Sequence, residues 1–200
     1  MLEGLEWALV REAYCVIFVR GLDKAELLRR LGGDPSAARL ARSTDCDVLE
    51  ELRQQFDHVV QVGWCDGWAF AYEWNGLPPA PEVLCALSAG TAAVSVYRNV
   101  NAVTNFCFAE DGTLVADFDP IHARDQWFWA QASPQVQALL YQAGITPKGS
   151  EEAEDEEDDD YFDFVEAMHA LAEAAGVLLD RTSIADAPLL CSGIPSRQAL

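Results

Sequence analysis

The sequence predicts an α+β fold: a mostly antiparallel sheet of five or six strands with helices packed on one face. Three observations predict it. Apolar or alternating runs of strand length recur through the first 120 residues, parted by turn residues. Asp66-Gly67 and Asp111-Gly112 each sit between two such runs, the strongest short-range hairpin signal. Between the runs lie short helical stripes with recognisable caps. Half of the 200 residues are hydrophobic, enough to build a core despite a formal charge of −20.

The elements follow in order. Tyr14–Arg20 (YCVIFVR) is a near-continuous apolar run ended by Gly21, a buried strand. Asp23 then caps a helix, with Glu26 at the capping-box position and Gly32 as the stop. Leu27, Leu28 and Leu31 form the inner face of that helix. Residues 45–55 carry Val48, Leu49 and Leu52 at helical spacing. A two-residue turn at Asp66-Gly67 sets Cys65 opposite Trp68, Gly63 opposite Phe70 and Gln61 opposite Tyr72. One face of this hairpin then carries Trp68, Phe70, Tyr72 and Trp74 over small partners, so the rings have room to lie across the next strand. Pro81 suits the first turn of a helix stopped by Gly90. Ala92–Asn99, Thr104–Ala109 and Thr113–Phe118 read as three more strands. Arg124–Ala130 reads as a short aromatic helix, and Ser133 with Pro134 opens another before Gly144.

Residues 151–160, EEAEDEEDDD, hold nine acids in ten positions. Like charges at this density repel, stay hydrated and keep the backbone extended. The expected organisation is a body over 1–147, an acidic disordered linker over 148–160 and a C-terminal segment over 161–200. In that last segment Tyr161, Phe164, Val165, Met168, Leu171, Ala172 and Ala175 form one helical stripe, with Asp160 as cap and Gly176 as stop. The stripe is expected to dock on the body. The tail from Arg181 is expected to be loosely ordered apart from Pro188–Cys191.

Charge and cysteine content narrow the function classes. Taking the nine acids of the tract from the total of 33 leaves 24 against 13 bases, a charge of −11. An acidic body argues against direct nucleic-acid binding. A weak basic cluster, Arg20, Lys24, Arg29, Arg30, Arg39 and Arg42, is opposed only by Asp23, Glu26 and Asp34. Fold-back of the tract onto these side chains is one role for it. The six cysteines form no C-x-x-C pair, which speaks against zinc or a redox pair. The start of the chain, with Glu3 and Glu6, is not signal-peptide-like, and no apolar run reaches membrane-spanning length. The expectation is a cytoplasmic protein needing no cofactor and no membrane.

Chemistry is sparse. The three histidines are His58, His122 and His169. His58 and His169 read as border or surface residues. Asp117, Asp119 and His122 form D-x-D-P-x-H where a strand ends, with both carboxylates on one strand face. Oxygen and imidazole ligands of this kind suit a divalent ion, although a polar turn explains the same residues. Tyr97, Arg98, Asn99 and Asn101 make a dense polar run that suits either ligand binding or a turn, with Arg98 paired to an acid. Trp127, Phe128 and Trp129 are adjacent large rings that no helix can bury on one side, so Trp127 and Trp129 are candidates for a partner surface. No nucleophile-plus-base set, phosphate loop or G-x-S-x-G elbow is present, and no catalytic residue is assigned.

The runs Phe18-Val19-Arg20-Gly21-Leu22, Leu27-Leu28-Arg29-Arg30-Leu31-Gly32, Asp66-Gly67-Trp68 and Leu87-Ser88-Ala89-Gly90, followed by Ser95-Val96-Tyr97-Arg98-Asn99-Val100-Asn101-Ala102, resemble an actinobacterial family catalogued only as a domain of unknown function. The resemblance covers roughly residues 12–120. It implies a cytosolic bacterial protein of similar architecture and carries no catalytic residues. The acidic tract departs from the family pattern. The functional expectation is a non-enzymatic acidic module, such as an immunity or inhibitor protein or an accessory factor, that recognises a basic protein or peptide. The rival is a small-ligand or metal-dependent enzyme using the Tyr97/Asn99 and Asp119/His122 region.

Overall fold

A computed structural model describes residues 13–42, 45–149, 162–178, 183 and 187–194. The acidic tract, Glu3, Glu6, Asp160, Tyr161 and Pro195 lie outside them. In chain order the strands are β1 (Tyr14–Arg20), β2 (Arg39–Ala41), β3 (His58–Cys65), β4 (Trp68–Trp74), β5 (Ala92–Arg98), β6 (Thr104–Glu110), β7 (Thr113–Phe118) and β8 (Leu189–Ile194). The α-helices are α1 (Lys24–Arg30), α2 (Cys46–Arg53), α3 (Pro81–Leu87), α4 (Gln126–Gln131), α5 (Pro134–Gln142) and α6 (Phe164–Ala174). A 3₁₀ turn spans Pro120–His122. No helix among the described residues is long and apolar enough to cross a membrane.

The α+β class holds, and the sheet is larger than expected. Eight antiparallel strands run in the order β2-β8-β3-β4-β1-β5-β6-β7. The two unforeseen strands are β2 and β8, which pair with each other, and β8 also pairs with β3. Thus Leu189–Ile194 lies inside the sheet: Pro188–Cys191 is the part of the tail expected to be ordered, and the order runs on through Ser192, Gly193 and Ile194. Its Gly193 fits because the Phe56 ring lies where a Cβ would stand.

Helices cover both faces, not one. Tyr14, Val16 and Phe18 of β1 point into one core, under α2, α4, α5 and α6. Cys15, Ile17 and Val19 point into the other, under Leu27 and Leu28 of α1 and Val83, Leu84 and Leu87 of α3. A strand walled on both sides needs no polar alternation, which is why β1 is a continuous apolar run.

The β3–β4 register is the expected one, with Gln61↔Tyr72, Gly63↔Phe70 and Cys65↔Trp68. Asp66 and Gly67 both take positive φ, as a tight turn of this kind requires. Phe70 lies directly over Gly63, where any Cβ would collide with the ring. Asp23 caps α1 by accepting from the Glu26 amide.

Helix α6 begins at Phe164, and its cap is Asp163 rather than the expected Asp160. The Asp163 carboxylate accepts from the amides of Val165 and Glu166 at 2.9 and 3.1 Å. The helix ends at Gly176 with φ +91°, and the Val177 amide returns to the Ala172 carbonyl at 3.0 Å. Val165, Met168, Leu171 and Ala172 are buried in the first core.

Candidate functional site

The residues singled out in the sequence are spread over the fold. Tyr97 is buried in the core under α1 and α3. Asn99 holds the β5–β6 turn, its side chain accepting from the amides of Asn101 and Val103 at 2.9 and 3.0 Å. Asn101 is exposed at that turn. Arg98 points to the other face, opposite Tyr14 in the β1–β5 register. It has no acid partner among the described residues, contrary to expectation, and its Nε–H is buried without an acceptor there.

Asp117 and Asp119 do not share a face. Asn105 donates to Asp117 at 2.8 Å and Thr104 donates to Asp119 at 2.7 Å. Adjacent strand residues point to opposite sides, so the two carboxylates part. Asp119 also accepts from the Ile121 amide, capping the 3₁₀ turn. His122 Nδ1 donates to Asp125 at 2.9 Å, a third direction. No group of three or more His, Cys, Asp or Glu among the described residues could hold a metal ion.

The aromatic triplet divides as helix geometry requires. Trp129 is 7% exposed, and its Nε1–H donates to the Ala123 carbonyl at 2.7 Å. Phe128 packs on Phe118. Trp127 is 56% exposed. Its Nε1–H donates to Asp125 at 3.0 Å, and its ring centroid lies 5.3 Å from that of His122. Among Trp127 and Trp129, only Trp127 presents a ring to the outside.

The pocket with the most developed chemistry was not assembled by sequence reasoning. It is a cleft of about 370 Å³ where β3 begins and β4 ends, lined by Arg53, Asp57, His58, Val59, Glu73, Trp74, Asn75 and Leu77. Glu73 is only 5% exposed, and its Oε1 accepts from His58 Nδ1 at 2.9 Å. The loop can close over this carboxylate because residue 76 is glycine: a Cβ there would stand 2.6 Å from Oε2. On the other side of the cleft the Arg53 guanidinium lies 4.9 Å from the centre of the half-exposed Trp74 ring. The signals were a histidine at a strand start and an acid within an aromatic strand. Fifteen residues part them, and only the hairpin register brings them together.

The third histidine is buried. His169 of α6 is 3% exposed, and its Nε2 shares a 3.2 Å hydrogen bond with the Tyr14 hydroxyl. Burial lowers its pKa to about 4, helped by the Arg98 charge and opposed by Asp163. Burial also holds the Tyr14 phenol well above its usual range. The Cys107 thiol is pushed up to about 12 by burial, so it is no ready nucleophile.

The fold defines an α+β protein built on one antiparallel sheet of eight strands. The chain belongs to a family of unknown function (DUF6461), whose model matches residues 5–199. The match takes in the acidic tract and β8 as well as the earlier motifs. No curated protein and no solved structure matches the chain.

Proposed function

We propose that the protein is a non-enzymatic, cytoplasmic binding module for a basic protein or peptide, in the manner of an immunity or inhibitor protein or an accessory factor. The observation that carries this reading is the surface at Trp127. A large ring stands out of a chain of charge −20, with the His122 ring packed against it and the Asp125 carboxylate fixed at its edge. Exposed aromatics supply contact energy at interfaces, and an acidic field speeds the approach of a basic partner. The basic cluster on the body is largely neutralised. Arg20 pairs with Glu110, Arg29 and Arg30 with Glu26, and Arg39 with Glu51. This supports a role for the acidic charge outside the chain rather than as internal fold-back. None of the six cysteines is in a disulfide, in keeping with a reducing compartment.

The test is capture from native cell extract at low and high salt, with wild type and Trp127→Ala side by side. A basic partner held at low salt, released by salt and lost in the variant is the expected result. Recovery of no salt-sensitive partner by the wild type would sink the reading.

A small-ligand reading draws its support from the His58–Glu73 cleft rather than from Tyr97, Asn99, Asp119 and His122. Each of those four is committed to the core, a turn, a cap or Asp125.

A further inference from the structure

The cleft combines three features that mere closure of the sheet end does not require. The first is an unpaired guanidinium. Arg53 has no ion pair among the described residues, although the chain holds 33 acids against 13 bases. As the last residue of α2 it suits the negative end of the helix dipole. Its guanidinium carbon lies 4.9 Å from the centre of the Trp74 ring, a cation–π contact that restrains the side chain at the cleft and so lowers the entropic cost of gripping a carboxylate.

The second is an oriented imidazole. A carboxylate only accepts, so Nδ1 of His58 is the donor to Glu73 and Nε2 is the ring atom left for a ligand. When the ring is neutral Nε2 accepts, and when it is charged Nε2 donates. A hydroxyl can satisfy either form. The third is the charge of the surroundings. Asp57 on the cleft wall and buried Glu73 penalise a dianion, so a monoanionic carboxylate fits better than a phosphate.

We propose that the cleft between Arg53 and His58 binds a small hydroxycarboxylate, its carboxylate on Arg53 and its hydroxyl on Nε2 of His58. A volume of about 370 Å³ accommodates such a molecule, and the Trp74 and Leu77 side chains offer apolar wall.

The test titrates the full chain with glycolate, lactate and 3-hydroxybutyrate, following the His58 ring nitrogens and the Trp74 indole N–H by NMR. Acetate and inorganic phosphate are run alongside. Saturable shifts with at least one hydroxycarboxylate, weaker binding of acetate, and a loss of roughly tenfold or more in Arg53→Gln are expected, as for a charge-assisted pair. Thermal melts of Arg53→Gln show that the loss is not unfolding. Absence of saturable shifts with all three, equal binding to Arg53→Gln, or a preference for phosphate would each overturn the proposal. Equal affinity for acetate would overturn the role of His58. The outcome is separable from that of the partner surface, since Arg53→Gln leaves Trp127 in place and Trp127→Ala leaves the cleft in place.

Discussion

His58 and His169 are the same side chain put to opposite uses. His58 lies where β3 begins, with Nδ1 tied to Glu73, and it lines a cleft. His169 is buried on α6 itself, bonded to Tyr14 and within reach of the Arg98 charge. A carboxylate partner fixes which imidazole nitrogen donates. A phenol beside a guanidinium favours the neutral ring. The difference shows that what a histidine can do is set by what faces it, not by the element that carries it.

The largest expected effect is on the buried side. The folded pKa of His169 is about 4 and the ordinary value is 6.5, so the unfolded chain takes up the proton first. The stabilising contribution is therefore complete above pH 6.5 and is lost as the pH falls toward 4, by roughly 3 kcal/mol over that window. The groups facing the ring are Tyr14, Arg98 and Asp163. Urea midpoints across this range should fall in the wild type, and the fall should be shallower in His169→Gln. Equal slopes would contradict the buried neutral ring.

On the open side, His58→Ala removes the donor to a Glu73 oxygen in a nearly buried carboxylate. A loss of about 1–3 kcal/mol is expected at neutral pH, read from denaturant melts. A smaller cost, about 1 kcal/mol, is expected for Tyr14→Phe, which takes away the hydroxyl bonded to Nε2 of His169. That variant should also change the apparent titration of His169 while leaving the His58 resonances in place. The smallest effect is that of Trp127→Ala. Its exposed ring should shift stability by no more than about 0.5 kcal/mol while abolishing partner capture. A large loss of stability there would make Trp127 a packing residue instead.

Local elements were largely legible. The β3–β4 hairpin and its register follow from Asp66-Gly67 and from aromatic alternation, and the Asp23 and Ser133 caps from residue type. Strand β8 was not legible. Its Leu-Leu-Cys-Ser-Gly-Ile run has weak alternation, and its partner Gln61 lies 130 residues from Cys191. The site residues fared less well. Tyr97, Asn99, Asp117 and Asp119 stand out as polar groups near strand ends, yet each spends its polar atoms or its burial on the fold. The cleft joins Arg53 from a helix with His58 and Glu73 from two strands, and no linear spacing records that meeting.

By itself the sequence determined the α+β class, the hairpin pairing, the caps and an acidity that persists without the tract, since these depend on neighbours along the chain and on composition. Only the tertiary structure decided that helices cover both faces, that the C-terminal strand enters the sheet, and which histidine is open and which closed. Those outcomes rest on contacts between segments far apart in the chain, where burial and facing charges act only after the sheet has formed.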